Sequence, residues 1–136
     1  MARATRVEFP GAWYHVLNRG TERRAIFRST RCREKFIELL SSLPERFGVR
    51  LHGYALMGNH YHLQLESREA NLSKALHWLN VSYSVWFNRK YSRVGPLFQG
   101  RERVAEGGSR LYKIHMPIKE TGFFCSNQHI YIVLFS

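Results

Sequence analysis

The sequence contains no aspartate: all ten of its acids are glutamate. That absence argues against nucleases built on Asp-rich two-metal clusters and against Asp-ligated phosphoryl-transfer sites. Whatever chemistry the chain performs must rest on His, Tyr, Glu, Gln or Asn. Cysteine is nearly as scarce. Cys32 and Cys125 stand alone, with no CxxC pair and no zinc-finger spacing. A reduced intracellular compartment is the simplest expectation. No apolar run approaches the roughly 20 residues of a membrane span. The opening MARATRVEFPGAW has no long apolar core, so no signal peptide is expected. There is no internal repeat and no low-complexity tract.

What is present is a globular composition with a strong charge bias. The 136 residues suit one domain, and 44% hydrophobic content is enough to build its core. The chain carries 21 Lys and Arg against 10 acids, a net charge of +11. Such an excess points to a polyanionic partner, nucleic acid before an anionic membrane surface. A merely solvated basic face is the plain alternative. The bias is uneven. Residues 1–103 hold 18 basic and 8 acidic residues, a net of +10, whereas residues 104–136 hold 3 and 2, a net of +1.

Periodicity divides the chain into elements. Trp13 to Asn18 predicts a strand that stops at Arg19-Gly20. Thr21 to Arg33 is strongly basic and reads as a surface loop or ribbon. Ser29 or Thr30 is placed to cap a helix in which Phe36, Ile37, Leu40 and Leu43 recur at helical spacing. Pro44 is expected to kink that helix and Gly48 to end it. Val49 to Met57 predicts a second strand, Gly58-Asn59 a tight turn, and His60 to Glu66 a third strand of clean alternation. Asn71 is a suitable cap for a long helix ending near Tyr91, with Leu72, Ala75, Leu76, Leu79, Tyr83, Trp86 and Phe87 on its core face. Beyond Val104 the pattern weakens. Glu106-Gly107-Gly108 makes a poor strand, and the apolar ending GFFCSNQHIYIVLFS has no evident partner element.

One constellation carries chemistry. Residues two apart on a strand share a face, so His60 and His62 project together, with Gln64 one step further on. Tyr61, Leu63 and Leu65 point to the core. Two imidazoles on one strand face make a two-point site for a divalent metal. The pair also suits two histidines on a solvated sheet face.

Four ordered blocks extend the argument. They are YHVLNRGTERRAIF (Tyr14 to Phe27), LHGYALMGNHYHL (Leu51 to Leu63), NLSKALHWLNVSYSVWFNRKY (Asn71 to Tyr91) and VGPLFQGR (Val94 to Arg101). Together they resemble the single-tyrosine HUH transposases, nearest to the REP-associated tyrosine transposases, over residues 6–103. The resemblance implies an α+β fold: a ferredoxin-like sandwich whose central antiparallel sheet carries the HUH strand, with helices packed on it. It also implies that His60 and His62 hold Mg²⁺ or Mn²⁺. A tyrosine on a downstream helix would cleave single-stranded DNA beside a hairpin through a 5′-phosphotyrosine link, and the reverse attack would rejoin strands. A phenol, with a pKa near ~10, needs such assistance at neutral pH. The expected partner is single-stranded or hairpin DNA rather than a membrane. Relatives occur as monomers and as homodimers. The expected location is the bacterial cytoplasm, at the nucleoid when DNA is bound.

The nucleophile is where the chain departs from the family. The family's tyrosine lies in a segment similar to Tyr-Ile-His-x-Asn-Pro-Val-Arg after a fourth strand. The best positional candidate here is Tyr112, in LYKIHMPIK, but it follows Gly100 by only 12 residues and Pro117 would break its helix. An ordinary packing or surface tyrosine is the competing reading of Tyr112. The chain therefore divides into a transposase-like domain, 1–103, and a divergent segment, 104–136, of the kind a frameshift or truncation would leave. For DNA contacts the basic residues of interest are Arg19, Arg23, Arg24 and Arg28 after the first strand, then Lys74, Arg89, Lys90, Arg93, Arg101 and Arg103. Two functions stay open: a nicking and joining transposase, or a catalytically dead protein that only binds hairpin DNA.

Overall fold

A computed structural model of the chain describes residues 11–100, 102–106, 123–125 and 130–134. Alternation sets its two inner strands. In β1 (Ala12–Arg19), Ala12, Tyr14, Val16 and Asn18 are buried, while Trp13, His15, Leu17 and Arg19 are half-buried on the other side. In β3 (His60–Ser67), Tyr61, Leu63, Leu65 and Ser67 are buried, and His60, His62, Gln64 and Glu66 take the opposite face. β2 (Val49–Leu56) pairs antiparallel with β3, and a bulge at His52 separates the Leu51 and Gly53 pairings.

Helices cover the apolar face. α1 (Thr30–Ser41) starts at Ser29, whose Oγ accepts from the Cys32 N–H at 3.4 Å. A second, five-residue helix, α2 (Leu43–Phe47), carries Pro44 in its first turn, so the proline opens a new helix instead of kinking the old one. Gly48 ends it at φ 64°, a left-handed conformation that favours glycine. α3 (Leu72–Lys90) buries Leu72, Ala75, Leu76, Leu79, Tyr83 and Phe87. Trp86 sits at the edge of this stripe, partly buried. Asn71 does not cap α3 through its side chain. Its Nδ2 donates instead to the Phe47 carbonyl at 2.8 Å and ties α2 to α3.

Residues 21–33 are more structured than a surface ribbon. Thr21–Arg23 form a 3₁₀ turn, and Ile26, Phe27, Cys32 and Arg33 are buried. Tyr83 Oη donates to the Ile26 carbonyl at 2.5 Å, anchoring this segment to α3. Phe27, Phe36, Tyr61 and Tyr83 meet in an aromatic cluster with centroids 4.9–5.6 Å apart.

β4 (Arg103–Glu106) pairs antiparallel with the outer edge of β1. With β5 (Phe123–Cys125) and β6 (Ile130–Leu134), the strand order is β4-β1-β3-β2-β6-β5. Its first four members, joined as β1-α1-β2-β3-α3-β4, reproduce the ferredoxin-like arrangement. The apolar end of the chain does have a partner. β6 (Ile130–Leu134) pairs with β2, and β5 (Phe123–Cys125) pairs with β6. No alternation search could supply this, because the partner edge belongs to a strand some 75 residues earlier. Among the described residues no helix is long and apolar enough to cross a membrane.

Candidate metal and nucleic-acid site

Helices cover one face of the sheet, and the site lies on the other. β3 is flanked by β1 and β2 along its length, so its outward side chains stand mid-sheet. His62 lies opposite Leu17 of β1 and Ala55 of β2, and His60 lies opposite Arg19. Arg103 is also paired with Leu17, which puts it on the same face, exposed, two strands from His62.

Both ligand candidates have one ring nitrogen engaged. His60 Nδ1 lies 2.7 Å from Asn59 Oδ1, an atom that only accepts, so Nδ1 carries the proton and Nε2 holds the lone pair. His62 Nδ1 lies 3.1 Å from His15 Nε2. The His60 and His62 rings are 5.1 Å apart, centroid to centroid. Burial lowers the pKa of His62 to about 4, helped by the neighbouring His15, His60 and Arg19. Burial and then Arg19 lower His60, and burial lowers His15. All three imidazoles are therefore neutral at pH 7, the form that binds a metal. This donor set fits a divalent ion with nitrogen and oxygen ligands. Among the described residues no three His, Cys, Asp or Glu side chains converge as a complete metal site.

The basic loop is fastened to the same end of the sheet. Gly20 N–H donates to the Asn59 carbonyl at 2.9 Å, and the Ile26 and Phe27 N–H groups both donate to the Gly58 carbonyl. Asn59 Nδ2 reaches the Arg23 carbonyl at 3.3 Å. The turn preceding His60 thus holds the loop that carries Arg23, Arg24 and Arg28, all exposed. Gly20 is required here, since a Cβ would lie 2.1 Å from the Arg24 carbonyl oxygen.

The cationic side chains at this end are ordered by aromatic rings. Arg28 sits 4.6 Å from the Tyr91 ring centroid and 5.2 Å from that of Phe87, and Arg93 lies over Phe87 at 5.8 Å. Arg93 is pushed below the usual guanidinium range by burial and by the nearby Arg24 and Arg28. Lys90 lies over Trp86 and Tyr91, and Arg89 is exposed beside it at the end of α3. Lys74 is exposed in the first turn of α3, at the opposite end of the sheet from His60. The eight residues of β3 separate those ends by about 25 Å. Arg101 and Tyr112 lie outside the described residues.

Five tyrosines have described side chains, and each is committed elsewhere. Tyr14, Tyr54, Tyr61 and Tyr83 are buried in the core, and burial raises the phenol pKa of the last three. Tyr61 Oη donates to Asn80 Oδ1 at 2.6 Å. Tyr91 Oη lies 3.2 Å from Cys32 Sγ. Sequence reasoning missed His15. Its alternation on β1 was legible, but its meeting with His62 follows only from the β1–β3 register.

With this geometry in place, comparison decides the family. The family model described as "Transposase IS200 like" matches residues 9–103. The chain belongs to the IS200-like transposase family. A solved structure of a REP-associated tyrosine transposase bound to a REP hairpin shares the fold, with a TM-score of 0.61 and 13% sequence identity. The match covers 79% of this chain and 63% of that one, so the chain spans under two thirds of that relative's length. No curated protein matches the chain.

Proposed function

We propose that this IS200-like chain binds single-stranded DNA beside a hairpin, holds Mg²⁺ or Mn²⁺ at His60 and His62, and cleaves and rejoins the strand through Tyr112. The observation that carries the reading is the pair of neutral imidazoles on the central strand, each with Nδ1 engaged and, among the described residues, no partner at Nε2. A bound metal would withdraw charge from the scissile phosphate. His60 and His62 would orient it, and Asn59 would fix the His60 ring. Arg19 and Arg103, on the same face, would neutralise phosphates of the single strand. Arg23, Arg24, Arg28, Arg89, Lys90 and Arg93 would grip the hairpin backbone at the turn end, with Arg101 and Lys74 adding to the field. In the chemical step the Tyr112 hydroxyl gives up its proton to water as its oxygen attacks phosphorus, the P–O3′ bond breaks, and the 3′ oxygen takes a proton from water and leaves as a hydroxyl. Attack by that 3′-OH on the phosphotyrosine reverses it.

A second reading is a hairpin-DNA binder without cleavage. It is favoured by the five described tyrosines, all engaged away from the histidine face, and by a family match that stops at residue 103. Incubating the full chain with single-stranded hairpin DNA and Mn²⁺, then running a denaturing gel, separates the two. A covalent adduct abolished by Tyr112→Phe and by His60→Ala supports the transposase. Hairpin binding with no adduct leaves the binder, and an adduct that survives Tyr112→Phe refutes the nucleophile assignment.

A further inference from the structure

We infer that His15 is a positioning residue for the metal face: its Nε2 accepts a hydrogen bond from His62 Nδ1–H and so sets His62 in the tautomer that offers Nε2 to a divalent ion. The inference rests on the metal-site reading above. Strand alternation puts His15 on the same sheet face as His60 and His62, and the register puts it opposite Gln64, one diagonal step from His62. The two nitrogens are 3.1 Å apart. The rings are 10° from parallel with centroids 5.2 Å apart, nearly the greatest separation that contact allows between five-membered rings. They therefore meet nitrogen to nitrogen at their edges rather than face over face, the approach a directional hydrogen bond needs.

Two tautomeric arrangements satisfy this contact. In one, His15 donates, and His62 carries its proton on Nε2 and cannot ligate there. In the other, His62 donates from Nδ1, its Nε2 lone pair is exposed, and His15 carries its own proton on Nδ1. Only the second suits a metal. It also matches His60, whose Nδ1 proton is fixed by the accept-only Asn59 oxygen. The two ligands thus have separate orienting partners from separate strands or turns, the usual arrangement around metal-binding histidines.

The test uses the full chain in two measurements. Long-range ¹H–¹⁵N correlation on the metal-free protein should find the His62 proton on Nδ1; finding it on Nε2 overturns the inference. Mn²⁺ titration followed by EPR should show binding weakened about 10- to 100-fold by His15→Phe, which keeps a ring but has no acceptor. His15→Gln, whose amide oxygen accepts, should restore affinity to within a few-fold. Wild-type affinity in His15→Phe, or no rescue by His15→Gln, contradicts the assignment. If wild type shows no Mn²⁺ site that His60→Ala removes, the metal reading itself fails and the inference falls with it.

Discussion

Burial and a neighbouring guanidinium keep His62 unprotonated far below the pH at which a free imidazole charges. The sign of the consequence is definite. In the unfolded chain His62 takes up a proton as pH falls below ~6.5, whereas in the fold it does so only near pH 4. The unfolded state then binds more protons, so this contribution to stability is intact at pH 7 and is lost as pH falls from ~6.5 toward 4. His60 and His15 shift the same way. Urea midpoints at pH 7.5 and pH 5 should show the lower value at pH 5, and His62→Gln should flatten the difference. An unchanged slope in that variant would show that His62 does not titrate as its burial requires. At the same scale, Tyr61→Phe removes a donor to Asn80, whose Nδ2 bonds Glu102 Oε2 at 3.1 Å. It should cost about 1–2 kcal/mol by chemical denaturation, the amount typical of a buried hydrogen bond.

The elements that sequence made legible are those whose side chains alternate or recur. β1, β3 and the buried stripe of α3 follow directly from where Tyr14, Val16, Tyr61, Leu63, Leu76 and Tyr83 fall. The His60/His62 pair is legible for the same reason, since a period of two puts both on one face. What stayed hidden depends on pairing. His15 faces His62 only because Leu17 registers with it, and the C-terminal strand finds β2 across a long stretch of chain. Asn71 illustrates a local rule overridden by tertiary contact, its amide being drawn to the Phe47 carbonyl. Glycine gives the sharpest prediction at this scale. Gly20→Ala would drive a methyl into the Arg24 carbonyl oxygen and must shift the 20–28 loop. It should destabilise the fold by about 1–3 kcal/mol and weaken hairpin binding, measured by denaturation and by fluorescence anisotropy. A variant as stable as wild type would mean that the loop can move without cost.

Among the described residues of the whole molecule, the histidine pair and most of the cations proposed to meet DNA lie at one end of the sheet. The turn before His60, the Arg23–Arg28 loop and the C-terminal end of α3 are joined by hydrogen bonds and by Arg28 stacked on Tyr91. Of the assigned cations that are described, Lys74 lies at the far end. If the near end grips phosphates, the double variant Arg24→Ala/Arg28→Ala should lower the slope of log affinity against log salt by about 2 and weaken stems of any sequence alike. Lys74→Ala should leave that slope almost unchanged. The most direct test of the account asks whether metal and DNA meet on the histidine face. Fe²⁺ replaces the metal, and hydroxyl radicals generated by ascorbate and peroxide cut whatever DNA lies within reach. The account predicts cuts focused on the single strand beside the hairpin, abolished in the His60→Ala/His62→Ala variant while that variant still binds. Saturated binding with no focused cutting in wild type would contradict it.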